Sequence, residues 1–489
     1  MRKKIIILFI LLNLTRGAFS QRLQLTLPNA LKIAKEKTLD YKIAVNRARS
    51  AYWNYEAFKA GFLPKLSLNG SLPDYYRTIN SITLPNGQND FVNQNVANTS
   101  VNLNLSQNIG LTGGNLAIGS SLRRIDNFGD FENKAYTAVP FTLSYFQNNL
   151  FYNDFKWRKK IEPLKLKESE RNYIENLEDI SYQTVDKYFT LLRAITQFKL
   201  DSQNLKNIDT LLKVTQSRFE IGTVQLNDVL QSKVSLLNAK KAQAVSELSM
   251  KMARQDLFRY LGFGQTEDVQ LEIPDSLRFF YINPDSALEQ ATKNREFVIE
   301  FQRRKLEAEQ EIARTKSSTG PTVNLYLNLG LTQTGGTLNR SYQDLLRNQT
   351  VTLGFNIPLI DWGVNRSNRK RAEANLELEK NSIAQEHLSI EQQIDAQITK
   401  WNMQKEQMKI AKETRQLAEK RYELSKQKYT AGGLTYTDFN NAQLDKDQAV
   451  TDYLNNLGDY WLSYYLVRKL TLYDFENGRK IQLEDLATP

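Results

Sequence analysis

Val323, Leu325, Leu327, Leu329 and Leu331 alternate with Asn324, Tyr326, Asn328 and Gly330. A period of two predicts a strand with one apolar and one polar face. The same alternation recurs at Leu66/Leu68, at Val101/Leu103/Leu105 against Asn102/Asn104/Ser106, and at Val351/Leu353/Phe355/Ile357. Elsewhere the apolar positions thin out and the period lengthens. Residues 365–429 contain neither proline nor glycine, and 164–221 followed by 224–260 are similar uninterrupted runs. They read as long helices, the first roughly 95–100 Å if continuous. Steps of seven from His387 reach Ile394, Trp401, Met408, Arg415, Tyr422 and Tyr429, with Ala411 and Ala418 alongside. That seam is narrow, so the helix touches partners along a line and meets water over most of its circumference.

The pattern occurs twice. LPNALKIAKEK (27–37) resembles NPDSALEQATK (283–293), both with Pro and capping-type residues ahead of Ala-Leu. GFLPKLSLNGSL (61–72) parallels STGPTVNLYLNLGL (318–331), and FTLSYFQNNL (141–150) parallels VTLGFNIPLI (351–360). Each copy then runs into a basic helix start that holds a tryptophan, Trp157 or Trp362. Pro64 to Phe141 is longer than Pro321 to Val351 by about 47 residues, so the first copy carries an insertion. The predicted organisation is a secretory signal at 1–20 and a first repeat at 21–270, with strands about 64–147 and a helical turn near 222. A second repeat follows at 271–475, with strands about 321–358 and a turn near 432, then a tail at 476–489. Within the insertion, VNLNLSQNIGLTGGNLAIGSSL (101–122) reads as a hairpin turning at Gly113-Gly114.

Composition narrows the function. The 489 residues include no cysteine and one histidine, and mean hydropathy is −0.52. Disulfides, thiol nucleophiles and Cys-based zinc or iron–sulfur sites are excluded. No paired acidic cleft, metal-ligand cluster or nucleophile elbow marks an enzyme, and no cofactor is expected. Arg2, Lys3 and Lys4, then Ile5 to Leu14, then Ala18-Phe19-Ser20, form the basic, apolar and cleavage regions of an export signal. An uncleaved anchor is the alternative. Four bases of the signal account for part of the net +11, leaving +7, a modest excess that suits anionic lipid or wall polymer better than nucleic acid. For an exported chain, strands that are apolar on one face and polar on the other fit a barrel between lipid and water. A soluble sandwich with its apolar face inward is the other reading. Four strands per chain, or six if the 101–122 hairpin joins them, leave open edges that lipid does not tolerate, so other copies must complete the sheet. Trp157 and Trp362, beside clustered Lys and Arg, suit a membrane–water boundary.

Two helix turns carry one phrase: aromatic-x-x-Gly followed six residues later by Asp. It occurs as Phe219-Glu220-Ile221-Gly222 with Asp228, and as Tyr429-Thr430-Ala431-Gly432 with Asp438. Glycine suits a left-handed helix end, and the aspartates fall in the first turn of each returning helix. With the duplicated order and PLIDWGVNRSNRKRAEANLELE (358–379), the chain resembles the TolC-like outer membrane efflux proteins over nearly its whole mature length. The resemblance implies an α+β membrane protein: a homotrimer whose outer-membrane β-barrel continues into a long periplasmic α-helical barrel. It implies a passive exit duct of an efflux or type I secretion system. Its partners would be a periplasmic adaptor and an inner-membrane RND, ABC or MFS-type pump.

By the same resemblance the two turns converge to close the tunnel and meet the adaptor. Tyr429 and Asp228 match a latch pair, and Asp438 matches one of two carboxylates that ring the constriction. Leu434 stands where the family's best-studied latch has arginine, and Asn441 where the second ring carboxylate falls, so a gate with fewer charge contacts is expected. The competing reading is a periplasmic coiled-coil adaptor or envelope-spanning scaffold, which should lack two separated sets of alternating strands. The transported substrate leaves no trace in the sequence.

Overall fold

The computed structural model describes residues 23–128, 132–263, 269–274, 277–431 and 433–482. The expected export signal at 1–20, Gly432 and the end of the tail lie outside them. In chain order the elements begin with β1 (Leu23–Leu25), α1 (Leu27–Lys37), α2 (Leu39–Ala60), β2 (Lys65–Thr83), β3 (Asn89–Asn108), β4 (Asn115–Asn127) and β5 (Asn133–Gln147). Next come α3 (Asp154–Glu220), α4 (Leu226–Leu261), β6 (Val269–Leu271), α5 (Pro284–Asn294), α6 (Phe297–Ser318), β7 (Thr322–Gly335) and β8 (Leu346–Asn356). The chain closes with α7 (Val364–Thr430), α8 (Tyr436–Thr471), β9 (Tyr473–Asp474) and β10 (Arg479–Lys480). The four helices of the first half have 11, 22, 67 and 36 residues, and those of the second half have the same four lengths in the same order. The strands differ between the halves, and the second half alone has a short 3-10 turn at Arg340–Tyr342 among the described residues.

The local rules are visible at the helix starts. Thr26 accepts from the Asn29 N–H at 3.3 Å and Asn283 from the Asp285 N–H at 2.8 Å. In both helices proline fills the first turn, where its missing N–H costs nothing. The run expected from 164 begins ten residues earlier, at Asp154, and carries Pro163 inside it. Asn153 explains the early start, since its side chain accepts from the Lys156 N–H at 3.1 Å and caps the helix ahead of the proline.

The chain divides into two compact units. One holds Arg49–Ser169 and Phe297–His387. Its centre is a six-stranded sheet, all antiparallel, in the order β2-β3-β4-β5-β7-β8. Of the two counts left open by the sequence, the structure gives six: the insertion supplies β3 and β4, which pair between β2 and β5. Side-chain alternation holds in register across the sheet. Leu66, Leu105, Ile118, Leu143 and Leu329 stand opposite one another on successive strands. One position along, Ser67, Asn104, Gly119, Thr142, Gly330 and Asn348 form a row on the other face. β2 and β3 run on beyond the end of β4 as a two-stranded ribbon to Thr83↔Asn89, closed by a turn at Gly87 with φ +81°.

The other unit comprises the chain up to Ala48, Glu170–Glu296, and Leu388 onward. Its core packs Tyr188, Phe189, Leu257 and Leu261 with Ile394, Ile398, Trp401 and Leu457. Of the expected seven-step seam Ile394, Trp401, Met408 and Tyr422 are buried, while His387, Arg415 and Tyr429 are half-buried. Parallel β1 and β6 pair over three residues each. The Tyr188 hydroxyl lies 2.9 Å from the Leu25 carbonyl and accepts from the Glu272 N–H at 3.1 Å.

Two ionic clusters lie in this unit. Glu178 is buried, and it accepts from Lys35 Nζ at 3.1 Å and Arg468 Nε at 2.8 Å, while Arg468 also reaches Asp474 at 2.8 Å. Burial alone would raise the Glu178 carboxyl, but Lys35 and Arg468 outweigh it and hold the pKa below the ordinary value. In the second cluster, Arg295 holds Glu175 through Nη2 at 2.7 Å and Nε at 3.3 Å. Glu296 follows as a third group. Burial first, then a hydrogen bond to the Glu175 carboxylate and the charge that carboxylate carries, push the Glu296 carboxyl up to about 7.

Candidate functional site

The repeated phrase marks two chain reversals, both in the helical unit. α3 ends at Glu220 and α4 begins at Leu226. Gly222 has φ +78°, and a Cβ built there meets nothing within 4 Å, so glycine is required by backbone conformation and not by space. The Gly222 N–H donates to the Phe219 carbonyl at 2.9 Å and the Thr223 N–H to the Arg218 carbonyl at 2.8 Å. These nested bonds satisfy carbonyls that the helix end would otherwise leave bare. Returning, the Asp228 carboxylate accepts from the Gln225 N–H at 3.0 Å. An acceptor at the third helical position quiets a donor and favours the helix dipole.

The second reversal is built alike. α7 ends at Thr430, the Gly433 N–H donates to the Lys428 carbonyl at 2.9 Å, and α8 begins at Tyr436. The Thr435 side chain caps α8 by accepting from the Asp438 N–H at 3.2 Å, and its hydroxyl donates to the Asp438 carboxylate at 2.6 Å. The sequence Thr-Tyr-Thr-Asp contains this cap, a Thr followed three residues later by an acid, and it could have been read there.

The structure therefore brings each aspartate to the first turn of its own returning helix. Tyr429 is brought to Phe439: the rings stack with centroids 5.1 Å apart and planes 19° apart, and Tyr422 lies against the same ring at 5.8 Å. Lys446 Nζ sits 4.4 Å above the Tyr422 ring, and Arg421 pairs with Asp445, so α7 and α8 are pinned just above the turn. Phe439 is the member that sequence reasoning missed; its signal is an aromatic one turn into α8, ten residues after Tyr429. Asp228, Asp438 and Asn441 are polar groups of the turns, and Asp228 is exposed, as are Phe219 and Ile221. Gly432 is outside the described residues.

The tryptophans differ. Trp157 lies inside α3, half-buried, with Lys160 Nζ 5.5 Å over its ring. Trp362 precedes α7, has φ +53° and is 95% exposed in the single chain. Beside it Asp361 accepts from the Gly363 N–H at 3.0 Å and the Asn365 N–H at 2.9 Å. Those backbone donors, Asn365 first, hold its carboxyl below the usual range.

Chemically, the turns offer polar groups on rigid caps, and the sheet offers two faces of opposite character. Among the described residues no group of His, Cys, Asp and Glu could hold a metal ion. Among them, too, no helix is long and apolar enough to cross a membrane.

The family model for outer membrane efflux protein matches residues 115–263 and 287–470. Among curated proteins none matches. Solved structures do. The Campylobacter jejuni CmeC outer membrane channel aligns with TM-score 0.67 at 17% identity, over 94% of this chain and 87% of that one. The outer membrane protein VceC of Vibrio cholerae aligns with TM-score 0.64 at 15% identity, over 93% and 97%. The open state of the Neisseria gonorrhoeae MtrE outer membrane channel aligns with TM-score 0.59 at 15% identity, over 94% and 91%. At these identities the likeness is one of fold.

Proposed function

Since this chain belongs to the outer membrane efflux protein family, we propose that it works as the passive outer-membrane exit duct of a tripartite efflux or secretion machine. The observation that carries this reading is the sheet: an aliphatic row on one face, small and polar residues in the row on the other, and β2 and β8 as edges with no neighbouring strand among the described residues. In hydrocarbon an unpaired edge costs several kcal/mol per group, roughly, so β8 of one copy joins β2 of the next until the wall closes. Three copies give such a closed trimer, with lipid outside and a wet lumen inside. The long helices of the same three chains form the periplasmic conduit. A periplasmic adaptor would leave the two-faced sheet without a role.

At the helical reversals we place the gate and the adaptor-docking surface. Phe219, Gly222, Asp228, Tyr429, Gly432, Asp438 and Asn441 belong to it, with the carboxylates available to neighbouring copies once the caps are made. Trp157 and Trp362 serve as anchors at the membrane–water boundary. The energised partner is an inner-membrane pump of the RND, ABC or MFS type, reached through the adaptor. The duct itself needs no catalytic group.

The test is the mass of the detergent-solubilised mature protein with detergent subtracted, followed by bilayer conductance. The reading expects three chains per particle and a small conductance that rises on Asp228→Ala or Tyr429→Ala. A folded monomer that stays soluble without detergent would overturn it.

A further inference from the structure

We infer that all six strands of each chain stand in the membrane wall, so that three copies close a barrel of eighteen strands. This rests on the trimeric outer-membrane reading above and adds the wall's composition and bore. The sequence alone allowed the inserted hairpin to fold against the outside of a twelve-stranded wall. Three observations place it within the wall.

First, β3 and β4 are full ladder members. β4 pairs with β3 over Val96–Asn108 and with β5 from Asn115 to Asn127. Removing the hairpin would leave β2 and β5 with no partner on the sides that now face it. Second, the lengths suffice. A tilted membrane strand needs about 9–11 residues, and β3, β4, β5, β7 and β8 have 20, 13, 15, 14 and 11. Third, the two-sidedness runs through the insertion without a break. The aliphatic row passes from Leu66 through Leu105 and Ile118 to Leu143 and Leu329, and its polar counterpart passes through Asn104 and Gly119. A hairpin laid over a finished wall would bury the aliphatic face of its neighbours, yet Leu66, Leu105, Ile118 and Leu329 are all left exposed.

The turn of the hairpin is also fastened to the frame. Asn153 Nδ2 donates to the Gly110 and Leu111 carbonyls at 3.1 and 3.0 Å, Gln147 to the Thr112 carbonyl at 2.7 Å, and Asn108 to the Gly61 carbonyl at 2.8 Å. Asn153 caps α3, so the same residue that starts the long helix fixes the level of the β3–β4 turn.

Strands about 4.8 Å apart and tilted about 40° put opposite backbones roughly 36 Å apart at eighteen strands and roughly 24 Å at twelve. The row through Ser67, Asn104, Gly119, Thr142, Gly330 and Asn348 is small and uncharged, while Lys65, in register with Ser106 and Ala117, stands on the same face two residues along.

The experiment uses single cysteines in a chain that has none, labelled with bimane in liposomes of phosphatidylcholine with or without brominated acyl chains. Ile118→Cys on β4 and Leu329→Cys on β7 face the apolar side, and Ala117→Cys faces the lumen. The expected result is a similar fractional loss of emission at 118 and 329 in brominated lipid, and quenching at 117 by aqueous iodide instead. Quenching at 329 without quenching at 118 overturns the inference and leaves the duct standing. No lipid quenching at either position overturns the membrane reading itself. A particle mass other than three chains, with both positions quenched, overturns the count of eighteen.

Discussion

Replacing Glu296 with glutamine should stabilise the protein at alkaline pH and leave it unchanged in acid. The Glu175 carboxylate is already held by Arg295, and Glu296 is pressed against it in a half-buried position. Its folded pKa of about 7 lies above the ordinary 4.5. A carboxyl raised in this way binds its proton more tightly when folded than when unfolded. Its penalty is therefore absent below the unfolded value, grows as pH climbs from about 4.5, and is complete above about 7. At about 1.4 kcal/mol per unit the full penalty is on the order of 2–4 kcal/mol per chain. Glutamine keeps the shape, cannot ionise, and its amide donates to Glu175 where the protonated acid did. With an unfolding entropy of roughly 2 cal/mol/K per residue, the gain is about 2–4 °C in melting temperature for a chain of this length. The assay is the thermal loss of helical circular dichroism in detergent, at about pH 4.5 and about pH 8 on either side of that titration. A difference of the same size at both values would mean that packing, not ionisation, is responsible; no difference at the alkaline value would refute the argument.

Further outcomes follow from single positions. Glu178→Gln should cost about 3–5 kcal/mol, because Arg468 loses a buried partner. Glu178 has a lowered folded pKa, so its contribution is present above about pH 4.5 and lost as pH falls through the folded value; the variant's melting temperature should fall less between about pH 5 and about pH 3 than the wild type's. Gly222→Ala forces an ordinary residue to φ +78° and should cost about 1 kcal/mol, read as faster amide exchange around residues 218–228 with the rest of α3 unchanged. Asp438→Asn keeps the Thr435 cap's N–H partner but removes the charge. It should weaken cation block of the bilayer conductance without shifting the melting temperature by more than a degree; unchanged block would separate Asp438 from the constriction.

Much of this architecture is legible in the sequence because its signals are local. Absence of Pro and Gly marks α7 to within a residue at each end, since nothing interrupts its hydrogen bonds. Alternation marks the stretches 101–105 of β3 and 323–331 of β7, where one face is apolar. Gly222 announces a left-handed residue, and the acid six places on announces a helix start. What was hidden depends on partners far along the chain or on segments too short to show a period. Parallel β1 and β6 have three residues each and are 246 positions apart in the register Leu23↔Val269. Glu175 meets Arg295 from 120 positions away. Pro163 argued for a helix boundary, and only the Asn153 cap, which also ties the hairpin turn, shows why the helix starts before it.

The equal lengths of the paired helices restrict how such a chain can drift. A residue added to α3 would turn everything beyond it by about 100° about the helix axis and raise it by about 1.5 Å. Every downstream side chain would leave its seam, and α3 would no longer match α7 in length. Compensation requires a matching change in the returning helix and in both members of the other hairpin, several coordinated events in one gene. Single-codon insertions should therefore be purged from the helices and survive in the strands and their outer turns. There the two halves already differ by a whole hairpin, and a ladder can lengthen one rung at a time. The helices thus act as a fixed gauge of the chain, while the sheet is the part whose length can change without disturbing them.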